Sequence, residues 1–166
     1  MNSFLLALLN SLDIGLLLFI IAIGLNIVFG VLGVINFAHG ALYMLGAYLA
    51  YTGIVGLGLP FWLTLLLAPL AVALLAAAVD RGMLRFIYGR EITDSLLLTF
   101  ALLLMLNEAT RLIWGNGIHT VEPPWPLQGT LRLPGGLRYP SYSAFVLAVG
   151  LLTLLGLWLL FSRTRM

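Results

Sequence analysis

Two groups of polar residues stand out in a chain that is otherwise almost wholly apolar. The first lies in Gly30-Val-Leu-Gly-Val-Ile-Asn-Phe-Ala-His-Gly40, which holds Asn36 and His39. An amide and an imidazole can bind a ligand, hand on a proton or satisfy backbone groups. The glycines at 30, 33 and 40 let the backbone bend or approach closely. Two readings are open. One is a discontinuous helix lining a substrate path. The other is a tight cytoplasmic turn, with Asn36 capping the next helix and His39 bonded to a carbonyl.

The second group is Asn107, Glu108 and Arg111. Residues three and four apart share a helix face, so Glu108 and Arg111 can pair and Asn107 lies beside them. This is either a snorkelling ion pair near a membrane surface or a polar group in a pathway. Arg90 and Asp94 are also spaced to pair, with Thr93 or Asp94 as a helix cap. Gly46 and Ala50 are four apart, as are Ala73 and Ala77, a spacing that lets membrane helices pack closely.

Other chemistry is absent. There is no cysteine, which excludes disulfides, thiolate metal sites and cysteine nucleophiles. No phosphate-binding Gly-x-x-x-x-Gly-Lys, His-Glu-x-x-His or Gly-x-Ser-x-Gly occurs. The two histidines, His39 and His119, are expected on opposite sides of a membrane, so no metal or haem site is expected. The chain is read as a non-enzyme.

The elements that position these residues follow from composition. Of 166 residues, 62% are hydrophobic and 8% charged. A soluble domain is about 45–50% apolar and about 25% charged. That rules out a cytoplasmic enzyme domain and a disordered chain. The net charge of +2 comes from scattered arginines, with no lysine, so no nucleic-acid surface is expected. From Ile14 to Val79 there is no Asp, Glu, Lys or Arg. A spanning helix needs about 20 residues. The fold class is therefore all-α, a polytopic transmembrane bundle in one domain over residues 1–166. Spans are expected at about 12–33, 36–56, 60–79, 95–114 and 142–161, with a kink at Pro69. Between the last two lies a Pro- and Gly-rich external loop, 115–141. Arg81, Arg85 and Arg90 in the link, with Arg163 and Arg165 at the end, outnumber Arg132 and Arg138 in the loop. Positive residues stay inside, so the C-terminus is expected in the cytoplasm and the N-terminus outside.

Residues 24–50, GLNIVFGVLGVINFAHGALYMLGAYLA, closely resemble the first conserved block of LivH-type permease subunits of branched-chain amino-acid ABC importers. Asn36-Phe-Ala-His-Gly40 with Tyr43, Met44 and Gly46 is the most distinctive part. LLLTFALLLMLNEATRLIWG (96–115) resembles the family's fourth-span block, and Tyr139-Pro-Ser-Tyr142 its next span. The resemblance implies leucine, isoleucine or valine import across the bacterial inner membrane. It implies a second homologous permease, two cytoplasmic ATPases that use ATP-Mg, and a periplasmic or lipid-anchored binding protein. No cofactor is implied in this chain. Asn36, His39 and Gly40 fall in the family's signature segment, and Asn107 and Glu108 in its fourth-span block. Gly30, Gly33, Gly46 and Ala50 are expected at helix contacts. Urea or a short amide is the alternative cargo. A proton-coupled carrier using Glu108 is the alternative from another class. Family members continue into a basic loop and further spans, so a sequence ending at Met166 is expected to be either a fragment or the product of a split or truncated gene, and as written it is expected not to couple to ATP hydrolysis.

Overall fold

The computed structural model describes residues 2–133 and 136–163. Among the described residues five α-helices run in order: α1 (Asn2–Leu32), α2 (His39–Tyr51), α3 (Phe61–Gly82), α4 (Ile92–Trp114) and α5 (Ser141–Arg163). Strands β1 (Thr130–Leu133) and β2 (Leu137–Pro140) precede α5. The protein is an all-α polytopic membrane protein with one small hairpin. Four stretches among the described residues are long and apolar enough to cross a bilayer: Phe4–Gly30, Phe61–Phe86, Ile92–Trp114 and Ser141–Arg163. Large apolar side chains such as Leu74, Leu97, Leu112 and Leu152 are exposed, as lipid-facing groups must be.

The helix ends follow from local chemistry. Gly33 closes α1 at φ +65°, a left-handed conformation that costs a residue with a Cβ energy, and its N–H bonds Phe29 O at 2.8 Å. Pro60 stands at the N-cap of α3, where its missing N–H costs nothing. The helix then continues through Pro69. Glu91 takes the N-cap position of α4 with no side-chain bond, so Thr93 and Asp94 fall inside the first turn instead of capping it. Among the described residues Arg90 and Asp94 do not form an ion pair.

The second element differs most from expectation. At 13 residues, α2 is about 20 Å long, short of a ~30 Å hydrocarbon core. Residues 33–36 are not helical, and beyond Tyr51 the chain widens into a π-helical turn, Thr52–Gly56. Helix α1 instead reaches back to Asn2, well before the expected start near residue 12.

The chain divides into two compact units. In the first, residues 24–121, α2 packs against both α3 and α4. Its core is Ala38, Leu84 and Leu102, flanked by Val79, Ile87, Tyr88, Leu98 and Leu106. A Cβ on Gly46 would sit 3.5 Å from Val72, an ordinary contact. One on Gly53 would meet Thr64 Cγ2 at 2.9 Å, so there the backbones approach as only glycine allows. In the link, the Tyr88 hydroxyl donates to Asp80. Burial, then that carboxylate, pushes Tyr88 up to about 12.

The second unit joins residues up to Ile23 with those from Glu122 onward. The expected loop folds here into an antiparallel hairpin, Thr130 opposite Pro140 and Arg132 opposite Arg138. The Ser141 N–H bonds Gly129 O at 3.0 Å and ties the hairpin to the start of α5. Leu16 packs on Gly150, where an added Cβ would come within 3.1 Å. Tyr139 is buried and donates its hydroxyl to Asp13 at 2.5 Å. Burial first, then the Asp13 carboxylate, pushes Tyr139 up from 10.0 to about 12. A raised value favours the protonated phenol in the folded state. This contact therefore stabilises the fold below pH ~10, and that contribution is lost as pH rises toward the folded value. The tyrosinate absorbance difference between wild type and Tyr139→Phe is expected to titrate near 12. Titration at the ordinary tyrosine value means the Asp13 contact does not form.

Candidate functional site

The break between α1 and α2 contains the first polar group. Asn36 Oδ1 accepts the Ala38 N–H at 3.0 Å, and Asn36 O accepts the His39 N–H at 3.2 Å. The amide thus folds the segment into an Asx turn and launches α2. It acts two residues ahead of the N-cap, which is Ala38. The His39 ring lies over α1, where a Cβ on Gly24 would meet its Nε2 at 3.1 Å. Gly24, not Gly40, makes the close approach: nothing lies within 4 Å of a Cβ built on Gly40. Gly30 and Gly33 are likewise open, and Gly33 serves through its positive φ. Ala50 is half-buried on α2.

The segment is anchored on α4 by Thr99, which the sequence reading did not single out. Thr99 is fully buried, and its hydroxyl lies 3.1 Å from Ile35 O and 2.8 Å from Ser95 O. The carbonyl of Ile35 sits in the non-helical break, where backbone groups need an outside partner. Phe37 meets Phe100 edge-on at 6.4 Å beside it. The visible signal was the hydroxyl residues Ser95, Thr99 and Thr110, which with Leu102 are the buried residues of α4 and follow a helical period.

The second polar group faces the other way. Arg111 Nη2 donates to Glu108 Oε1 at 2.6 Å, and both side chains are more than half exposed. Asn107 is exposed with them. The expected pair therefore forms, on a face that this chain leaves uncovered. It is not joined to Asn36 or His39 by any contact among the described residues.

A third cluster was not anticipated. Trp114 Nε1 donates to Thr52 Oγ1 at 2.7 Å, and the Thr52 hydroxyl donates to Tyr48 O at 2.9 Å. His119 Nε2 lies 2.9 Å from Trp114 O. The His119 ring centroid is 5.8 Å from that of Tyr48 and 4.6 Å from that of Tyr51. These rings border a cleft of about 460 Å³. Among the described residues no three His, Cys, Asp or Glu side chains come together to hold a metal ion.

Apolar crossing helices, a broken helix pinned at its carbonyl and polar residues confined to a few faces define a multi-pass membrane protein. The comparisons make this specific. Residues 7–166 match the family described as branched-chain amino acid transport system, permease component, and the chain belongs to that family. It is 30% identical over 171 residues to the high-affinity branched-chain amino acid transport system permease protein BraD of Pseudomonas aeruginosa, covering 96% of this chain and 55% of that protein. It is 45% identical over 42 residues to the LivH permeases of Salmonella typhimurium and Escherichia coli, covering 25% of this chain and 14% of theirs. At its best, then, the chain spans about half the length of the curated relatives it matches. No solved structure matches it. The family is one of transport permeases, not enzymes, and in bacteria it resides in the inner membrane as a multi-pass protein.

Proposed function

We propose that this chain is a membrane-embedded part of an ATP-driven importer for leucine, isoleucine and valine. The match over residues 7–166 carries the reading. In this proposal α2 with its π turn completes a fifth span, the N-terminus lies outside, and the segment 115–141 faces the periplasm. A second permease, two cytoplasmic ATPases and a substrate-binding protein complete the machine. Asn36 and His39 shape the break next to the substrate path, and Asn107 and Glu108 line a face covered in the assembly. The Glu108 carboxylate is already engaged by Arg111 on an exposed helix face, which favours the ATP-driven reading over a carrier built on Glu108.

The test is uptake of labelled leucine into vesicles holding the permease, its partner subunits and the binding protein. Uptake is expected to require ATP and the binding protein in wild type and in Glu108→Gln alike, and excess urea or acetamide is expected not to compete. Reporters at Gly89 and Gly129 are expected inside and outside, respectively. Uptake without ATP, driven by a pH gradient and lost in Glu108→Gln, establishes the carrier instead.

A further inference from the structure

We infer that the cleft beside Tyr48, Tyr51 and His119 is a binding site for a primary ammonium group carried on a short apolar body. Three observations lead there. The first is the tautomer of His119. Its Nε2 is 2.9 Å from the Trp114 carbonyl oxygen, which can only accept. The hydrogen therefore sits on Nε2, and in the neutral ring Nδ1 is an acceptor. An ammonium group supplies the donors that such an acceptor needs.

The second is the aromatic surround. Tyr48 and Tyr51 meet the imidazole at 5.8 and 4.6 Å between centroids. Aromatic faces carry partial negative charge and attract cations. The rest of the wall is Ala47, Ile118 and Val121 with Gly117. No arginine lines the cleft among the described residues, so a carboxylate finds no counter-charge there. An apolar tail does find a surface.

The third is preorganisation. Trp114 is fixed to Thr52, and Thr52 to Tyr48, before any ligand arrives. The site thus needs little ordering on binding, which favours affinity. At about 460 Å³ the cleft is within the usual range for small-ligand sites.

The cargo link rests on the proposed function: a branched-chain amino acid presents this ammonium and this apolar body, and the proposed topology puts the cleft at the outer end. Binding is measured by ligand-observed NMR on the chain in lipid nanodiscs. Three probes are used: isopentylamine, L-leucine and 4-methylpentanoate, which lacks the amine. Isopentylamine and leucine are expected to bind saturably, and 4-methylpentanoate about tenfold more weakly or not at all. Tyr51→Leu is expected to weaken isopentylamine about fivefold. His119→Gln, which keeps an acceptor, is expected to retain it. Equal binding of 4-methylpentanoate, or no saturable isopentylamine signal, overturns the inference, and neither comparison depends on a variant that must fold. Unchanged affinity in a Tyr51→Leu protein with wild-type thermal unfolding also overturns it. Isopentylamine binding without leucine uptake by the assembled importer sinks the transport reading and leaves the site. Leucine uptake without isopentylamine binding sinks the site alone.

Discussion

Gly53→Ala is expected to destabilise the folded chain by about 1–3 kcal/mol, the usual cost of overpacking. A Cβ at this position meets Thr64 Cγ2 at 2.9 Å and Thr64 Oγ1 at 3.2 Å. Thr64 cannot simply rotate away. It is a buried β-branched residue whose hydroxyl bonds Pro60 O at 3.2 Å. Nor can the Gly53 backbone easily retreat, because Gly53 O accepts the Leu59 N–H at 2.9 Å. Any shift therefore passes into the turn that leads to α3. The π-helical widening at Thr52–Gly56 is where this strain lands, and Trp114 is bonded to Thr52 in the same turn. A double-mutant cycle separates the steric cause from a change in the unfolded chain. Thr64→Ala removes both close atoms, so Gly53→Ala is expected to cost much less in that background, with a coupling of about 1 kcal/mol or more. Unfolding in mixed detergent micelles reads all four proteins. Additive effects within error mean that the two elements do not touch as described.

The parts of this fold that were legible in the sequence are those written in local chemistry. Gly33, Pro60 and Gly115 stand at helix ends, and each is a residue that ends or starts a helix by backbone geometry. The Glu108–Arg111 pair follows from spacing on one helix. The family was legible because residues 24–50 combine glycines with Asn36 and His39 in one uninterrupted block. What stayed hidden depends on distance along the chain. Thr99 meets Ile35 across 64 residues, and Trp114 meets Thr52 across 62. Periodicity marks the buried Ser95, Thr99 and Thr110 side of α4 but does not say which distant residue it meets. The hairpin was hidden for a different reason. A run rich in Pro and Gly reads as irregular, yet Tyr139 buries its ring and finds Asp13 from 126 residues away. The close approach at Gly24 was hidden as well. A glycine in a motif advertises a close approach without saying which of several glycines makes it, and the one beneath His39 is Gly24.

Thr99→Val is expected to cost about 1–3 kcal/mol, the penalty for a buried acceptor stripped of its donor. The substitution conserves shape, so little of the effect can come from a cavity. A hydroxyl has one hydrogen, and here it is shared between Ser95 O at 2.8 Å and Ile35 O at 3.1 Å. The two acceptors are not equivalent. Ser95 O belongs to α4 and is in reach of the helix's own N–H groups, whereas Ile35 O lies in the non-helical break. The loss therefore falls on the break, the stretch that aims Asn36 and His39. Two readouts follow from this. Thr99→Ser keeps the hydrogen and is expected to lie within about 1 kcal/mol of wild type, its deficit being one buried methyl. Hydrogen exchange at the Ala38 and His39 amides is expected to quicken in Thr99→Val and not in Thr99→Ser, because both amides bond to Asn36 and depend on the fixed turn. Equal stability of the valine and serine variants, with both amides still protected, would mean that the break is held by the Ala38, Leu84 and Leu102 core alone. A break pinned by one hydrogen bond can be released and re-formed, whereas one set in a packed core moves only with the helices around it.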